Sequence, residues 1–319
     1  MSEILLERVL QEPSVWDYLE IRDQSFYYTW GNKSIFLSSF KMETLPDPAV
    51  NLKFKGKILT KMSSFANIMA RRPGTEDVTF YALINSPQSG MIKKILDKKM
   101  LDFAAPPLVW RRNQIRESIV MEVKKYLDLE QSFLFLDLGC GAGFDSLEIE
   151  RICQRMGELR GGFPMNFTYA SCNVDIDLKW LNNHQKIARM LFGDTYSIFT
   201  ENSSVFDFLT GNKSLSLLKE YDNLIVSCNG FAEFLTDDNL KKLYTGISEI
   251  MHAVKGSVHV ILPFAIRNEK QEEIASTIGF HYRAKDKEEI IGIINEIFNG
   301  FCVSYTEKYS QIVLIIKKL

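Results

Sequence analysis

The run Leu136-Asp137-Leu138-Gly139-Cys140-Gly141-Ala142-Gly143-Phe144-Asp145 is where this sequence carries its clearest chemistry. A solid apolar stretch, Phe133–Leu138, meets three glycines at alternate positions, and a helical pattern follows. Glycines let a backbone turn approach a bound molecule closely, and a helix that starts there offers free N–H groups. Nucleotide-type ligands use such turns. The dinucleotide fingerprint is G-x-G-x-x-G, with a small third residue where the helix packs on the strand. Here Phe144 stands at that place and the third glycine comes one residue early. Asp137 also lies two residues before the first glycine, where dinucleotide folds carry an apolar strand residue. Both departures count against NAD.

Asp-Leu-Gly-x-Gly-x-Gly at residues 137–143 resembles the signature motif of class I S-adenosylmethionine-dependent methyltransferases, and the resemblance spans about residues 110–319. It implies that the turn of Gly139, Cys140, Gly141 and Gly143 wraps the methionine end and ribose of S-adenosyl-L-methionine. It also implies that Asp137 hydrogen-bonds the cofactor's amino group, and a carboxylate does complement an ammonium. A second acid is expected at the end of the second strand, accepting both ribose hydroxyls. Asn173-Val174-Asp175-Ile176-Asp177 supplies it: Asp175, with Ile176 beside it, matches the family position best, and Asp177 is the alternative. From Gly143 to Asp175 is 32 residues, against about 20 in dinucleotide folds. The surplus holds Arg160-Gly161-Gly162 and Pro164 and reads as a loop insertion.

The same resemblance puts Asn202 and Ser203 at the adenine edge, although Asn202 equally suits a plain Asx-type turn. It puts Ser227 and Asn229 where the substrate meets the methyl group. Ser227-Cys228-Asn229-Gly230 is neither Asn-Pro-Pro-Tyr nor a Pro-Cys pair, which argues against base-flipping DNA methylation and cytosine attack. Cys228 reads as a buried strand cysteine rather than a nucleophile. No catalytic residue is legible, because in-line methyl transfer needs mainly positioning and desolvation.

These groups require a scaffold. Phe133–Leu138, Tyr169–Val174, Asn223–Ser227 and Val258–Leu262 read as strands, with helices over Leu178–Phe192 and Asp238–Val254. Strands apolar on both faces and alternating with helices indicate a parallel sheet covered on both sides. Cys302–Thr306 and Gln311–Ile316 are too close together for a parallel return and must pair antiparallel. The expected α/β fold is a seven-stranded mixed sheet in the family's strand order, mostly parallel with an antiparallel C-terminal strand pair, and helices on both faces.

An N-terminal α/β cap precedes it. Ser25–Trp30 and Ser34–Phe40 read as strands around a Gly31-Asn32-Lys33 turn, and Val78–Ile84 as another strand. Ser89-Gly90 opens a helix, Met91–Phe103, that ends before Pro106-Pro107, and residues 112–127 show one buried helical stripe. Residues 1–107 are therefore expected to form a substrate-recognition cap and residues 108–319 the Rossmann-like cofactor domain. Tyr27, Tyr28 and Trp30 can hold a sulfonium but suit core packing better. Arg111 and Arg112 suit either a carboxylate in the cleft or solvent.

Composition narrows the partners. Lys plus Arg is 38 against 40 for Asp plus Glu, and 46% of residues are hydrophobic, so neither a basic field for nucleic acid nor a disordered chain is expected. No apolar run reaches the roughly 18 residues of a membrane span, and the N-terminus lacks a signal-peptide layout. Five scattered cysteines argue against a disulfide framework, and four histidines without ligand spacing against a metal site. The expectation is a cytoplasmic methyltransferase for a small molecule, such as an amino-acid-like compound or a biosynthetic intermediate, with no nucleic-acid or membrane partner. The oligomeric state is not legible. Three alternatives stay open: cleavage or cyclisation of the cofactor's aminocarboxypropyl arm, an NAD(P)-dependent oxidoreductase, and a non-catalytic binding module.

Overall fold

The computed structural model describes residues 3–48, 51–88 and 93–318. The chain begins with α1 (Glu3–Gln11), followed by β1 (Leu19–Arg22), β2 (Ser25–Trp30) and β3 (Lys33–Ser39), which form a small antiparallel sheet in that order. Trp30 pairs with Lys33, so the hairpin expected at Gly31-Asn32 is present. The helices α2 (Phe54–Met62), α3 (Ser64–Arg71), α4 (Glu76–Ile84) and α5 (Lys94–Asp128) follow.

The sheet that carries the glycine motif comes next. In chain order its elements are β4 (Phe133–Leu138), α6 (Phe144–Arg160), β5 (Tyr169–Asp175), α7 (Leu178–Phe192), β6 (Ile198–Asn202), α8 (Val205–Thr210) and α9 (Asn212–Leu218). Then come β7 (Asn223–Ser227), α10 (Asp237–Ala253), β8 (Val258–Ala265), α11 (Glu269–Thr277), α12 (Lys287–Ile297), β9 (Cys302–Lys308) and β10 (Gln311–Lys318). The strand order is β6-β5-β4-β7-β8-β10-β9. β10 runs antiparallel to both β8 and β9, and the remaining pairs are parallel. The expected seven-stranded mixed sheet is present. Every residue of β4, β7 and β8 is buried, which is why these strands read as unbroken apolar runs. Strand order reverses around β4, and such a switch point opens a crevice at the strands' carboxyl ends.

Three hydrophobic clusters hold the molecule together. One face of the sheet packs Leu136 and Val226 against Leu243 and Tyr244 of α10. The other packs Phe135 and Ile225 against Ile115 and Val123 of α5 and Ile149 of α6. The third joins Phe26, Phe65 and Phe80 of the N-terminal region to Phe144 of α6 and Trp180 of α7.

Two sequence expectations are corrected. Val78–Ile84 is not a strand but lies within α4: Asp77, Val78, Phe80, Tyr81 and Ala82 are all buried, so this helix shows no polar face to reveal its period. The helix expected to stop before Pro106-Pro107 runs through both prolines into the 112–127 stripe as the single helix α5. Each proline removes an i→i−4 hydrogen bond. Packing on both sides, by Leu101 and Ala105 before and Ile115 and Ile119 after, keeps the helix continuous. The Ser89-Gly90 start lies outside the described residues. The 107/108 boundary falls inside α5. The N-terminal region also shares its core with Ile278, from the segment after β8. Among the described residues no helix is long and apolar enough to cross a membrane.

Candidate active site

The glycine turn is built by conformations that favour glycine. Gly139, Gly141 and Gly143 have φ of 64°, 53° and 62°, where a side chain is strained. The Gly139 and Cys140 amides donate to the Val174 carbonyl at 2.9 and 3.3 Å, tying the turn to β5. Gly143 lies buried beneath, and a Cβ there would collide with the Asn173 and His184 side chains. Burial pushes His184 down to about 4, so its ring is neutral, with Nδ1 at 3.1 Å from the Ala142 carbonyl. Phe144, the bulky departure from the dinucleotide pattern, has a structural cause. It stacks on Trp16 at 4.4 Å between ring centres and meets Phe80 edge-on at 5.5 Å, so it is the socket into which the cap docks.

Four carboxyl groups converge on this turn. Asp175 ends β5, where its Oδ2 accepts the Gly141 amide at 2.8 Å and its Oδ1 accepts the Asp177 amide at 2.8 Å. Asp177 also lines the cavity, but it caps α7, accepting from Lys179 N at 2.9 Å and also from Trp180 N. Asp137 sits on β4 in register with Asn173 and Ser227 on its two neighbours. Burial holds its carboxyl well above the usual range, helped by Asp145, Glu76 and Asp175. Asp145 accepts from Ser227 Oγ at 3.1 Å and Asn229 Nδ2 at 3.4 Å, and burial raises it to about 6.

The fourth carboxyl is Glu76, from the first turn of α4 in the cap. The Ala142 amide donates to it, and burial first, then Asp175, raise it to about 8. Across the cleft, Arg111 of α5 is 6% exposed and donates to Glu233 Oε1 at 2.6 Å and Gln311 Oε1 at 3.2 Å. Arg111 is the one lysine or arginine among the described residues that line the cleft. Arg112, its neighbour, points outward to Asp17 at 3.2 Å.

The cavity measures about 720 Å³, within the range of small-molecule sites. Of the residues expected to hold a cofactor, Asp137, Gly139, Cys140, Gly141, Asp175, Ile176 and Asn229 line it. Gly143 lies beneath the turn, and Ser227 stands behind Asp145. Asn202 and Ser203 are outside the lining. Asn202 Nδ2 donates to the Asp175 and Ile176 carbonyls at 3.1 and 3.0 Å, and the Ser203 amide donates to Asp175 O at 3.1 Å. They brace the end of β5, the Asx-type role, while Ser204, Val205 and Phe206 reach the cavity. Cys228 is fully buried and burial pushes its thiol up, so it is no nucleophile. Tyr28 and Trp30 are not in the wall either: Tyr28 packs on Phe144, and Trp30 on the Arg151 guanidinium.

Sequence reasoning missed Glu76, Glu233 and the α11 segment, which brings Ile274 and Phe280 to the cavity. A signal for Glu76 existed. Thr75-Glu76-Asp77, a capping-type residue followed by two acids, marks a helix start and not a strand entry. The rest are contacts distant in sequence.

A bound cation would draw the raised carboxyls of Glu76 and Asp137 into their ionised form, whereas a diphosphate meets no free positive charge among the described lining residues, since Arg111 is already paired. The rest of the wall is largely apolar, with Trp16, Phe65, Phe103, Phe231 and Phe280.

No family model matches the chain, and no curated protein matches its sequence. Solved structures do match. A putative methyltransferase from Thermobifida fusca YX aligns at 16% identity and a TM-score of 0.51, over 77% of this chain and 95% of that one. The citrinin polyketide synthase CMeT domain aligns at 12% identity and a TM-score of 0.49, over 94% of this chain and 74% of that one. The magnesium protoporphyrin IX methyltransferase of Synechocystis PCC 6803, with bound SAH, aligns at 14% and 0.47, over 82% and 98%. In strand order, glycine turn and antiparallel C-terminal pair, this chain has the class I Rossmann-like methyltransferase fold.

Proposed function

We propose that the chain is an S-adenosylmethionine-dependent methyltransferase acting on a small molecule. The observation that carries this reading is the convergence of Glu76, Asp137, Asp145 and Asp175 on a glycine turn. Those groups suit a ligand with ammonium and sulfonium charges, which would favour their ionised forms, and the one lining guanidinium is already paired and offers a diphosphate no counter-charge. The cofactor, when bound, supplies an electrophilic methyl group. The chain's own residues do the rest. Asp175 keeps a lone pair on each oxygen for ribose hydroxyls, since each accepts a single amide in the described contacts. Asp137 and the turn backbone hold the methionine end. Asp145, at about 6, is ionised near neutral pH and can take a proton from an acceptor O–H or N–H.

The cap, made of the N-terminal region and the α11 segment, shields this chemistry from water and shapes the acceptor site with its aromatic wall. That wall and the acids together favour a largely apolar, neutral or cationic acceptor, and disfavour phosphorylated molecules and nucleic acid. The buried thiols of Cys140, Cys153 and Cys228 suit a reducing, cytoplasmic setting.

The test is incubation with S-adenosylmethionine and a fractionated metabolite extract, read by mass spectrometry. S-adenosylhomocysteine together with an acceptor heavier by one methylene supports the reading. Methylthioadenosine as the product would transfer the site to aminocarboxypropyl chemistry, and an unchanged cofactor would leave a binding module.

A further inference from the structure

The cap carries a surface that its fold does not use. On α2, Phe54 is 77% exposed and Ile58, one turn on, is 41% exposed, so both stand on the same helix face in water. Lys53, Lys55, Lys57 and Lys61 surround them, all exposed. The start of α5 repeats the composition: Ile95 is 68% exposed between exposed Lys93, Lys94, Lys98 and Lys99.

The two segments form one surface. Lys93 Nζ donates to the Lys61 carbonyl at 3.0 Å, and Asp97 Oδ1 accepts from Ser63 Oγ at 2.6 Å and from the Phe65 amide at 3.0 Å. Asp97 is the one acid within residues 51–61 and 93–101, and it is buried in those bonds. Within those two stretches no exposed carboxylate lies among the eight lysines; the nearest exposed acid in sequence is Asp102, paired with Lys98 at 2.7 Å, and exposed Glu269 and Glu273 lie on the neighbouring α11. On its other side α2 is seated against α11, where Gly56 lies against the Thr277 carbonyl and leaves no room for a Cβ.

Lysines alone would suit any polyanion. Exposed phenylalanine and isoleucine among them are what an interfacial helix presents: apolar side chains enter the acyl boundary while lysines meet anionic headgroups. A nucleic-acid backbone would leave Phe54, Ile58 and Ile95 without a partner. We infer that the α2 face and the start of α5 dock on a membrane surface rich in anionic lipid. Docking of this kind revises the sequence expectation of no membrane partner. Ile274 and Ala275 of α11 line the cleft one turn before Thr277, so docking brings the apolar wall of the cleft toward the lipid. The inference rests on the surface alone and does not need the methyltransferase reading.

The test is co-sedimentation of the full chain with extruded vesicles, one set of phosphatidylcholine alone and one with about one third phosphatidylglycerol. Wild type should bind the anionic vesicles, bind the neutral ones far less, and be released by salt. Lys55→Gln with Lys57→Gln should lower partitioning by roughly 10- to 30-fold, from about fivefold per lysine. Phe54→Ser should also weaken it, whereas Met165→Ser, a fully exposed methionine elsewhere, should not. All these positions are exposed, so circular dichroism should show an unchanged fold. Equal failure to bind both vesicle types, equal binding to both, or anionic binding that the α2 variants leave intact would each overturn the proposal.

Discussion

The carboxyl group of Glu76 lies directly over the α-carbon of Gly141, in the space a Cβ would need. One glycine thus serves two purposes: its positive φ shapes the turn, and its missing side chain admits a carboxyl from the cap. Cap and sheet meet at the glycine turn itself.

That contact makes stability depend on pH. Glu76 titrates at about 8 in the fold against an ordinary 4.5, so the folded state holds a proton that the unfolded state releases between those values. Stability must therefore fall as pH rises through that window, by about 1.4 kcal/mol per pH unit for one proton. Asp145 acts in the same direction up to about 6. Glu76→Gln, which keeps the shape without the titration, should flatten the decline between about pH 6 and 8. Urea midpoints measured across that range check it; equal slopes in the two proteins would be evidence against a buried, protonated Glu76.

Asp175 and Asp177 should separate cleanly. Asp175→Ala removes the acceptor of the Gly141 amide and should weaken S-adenosylmethionine binding by roughly 1.5–3 kcal/mol. Asp177→Ala removes the cap of α7 and should cost about 1 kcal/mol of stability with little effect on affinity. Calorimetric titration alongside thermal melts distinguishes them, and a reversed order would move the ribose contact to Asp177.

The buried pair Arg111–Glu233 should be strongly coupled. Removing one partner leaves the other charge unpaired, which costs about 3–5 kcal/mol. Arg111→Met with Glu233→Leu should be less destabilising than either single change. A double-mutant cycle measures this, and simple additivity would mean the two groups are independently solvated.

The glycines give a matched contrast. Gly143→Ala combines backbone strain with a collision against Asn173 and His184 and should cost roughly 2–4 kcal/mol. Gly161→Ala has φ of 79° but open space around it, and should cost about 1 kcal/mol. Chemical denaturation of the two variants compares them directly.

What could be read from the sequence follows from what each residue's burial reveals. β4, β7 and β8 are buried on both faces and flanked by turn residues, so composition alone located them. The glycine motif is local, so Asp137 and Gly139 to Gly143 were legible, and Asp175 followed from the next strand's end. α4 was not legible because a helix buried all round shows no period, and its aromatic and β-branched residues imitate a strand. Pro106-Pro107 read as a stop because local rules cannot see the packing that keeps α5 continuous through them. Glu76 reaches Ala142 and Arg111 reaches Glu233 across long stretches of chain, and no spacing encodes such contacts.

The central claim is that the acid-lined glycine turn binds S-adenosylmethionine, and calorimetric titration of the wild type and Gly141→Val tests it most directly. The wild type should bind one equivalent of S-adenosylmethionine and show no heat with NADH. Gly141→Val, whose side chain would displace the Glu76 carboxyl and strain a positive-φ position, should lose the binding while circular dichroism still shows a folded chain. Absence of wild-type binding to S-adenosylmethionine, or undiminished binding by a folded Gly141→Val, would contradict the assignment.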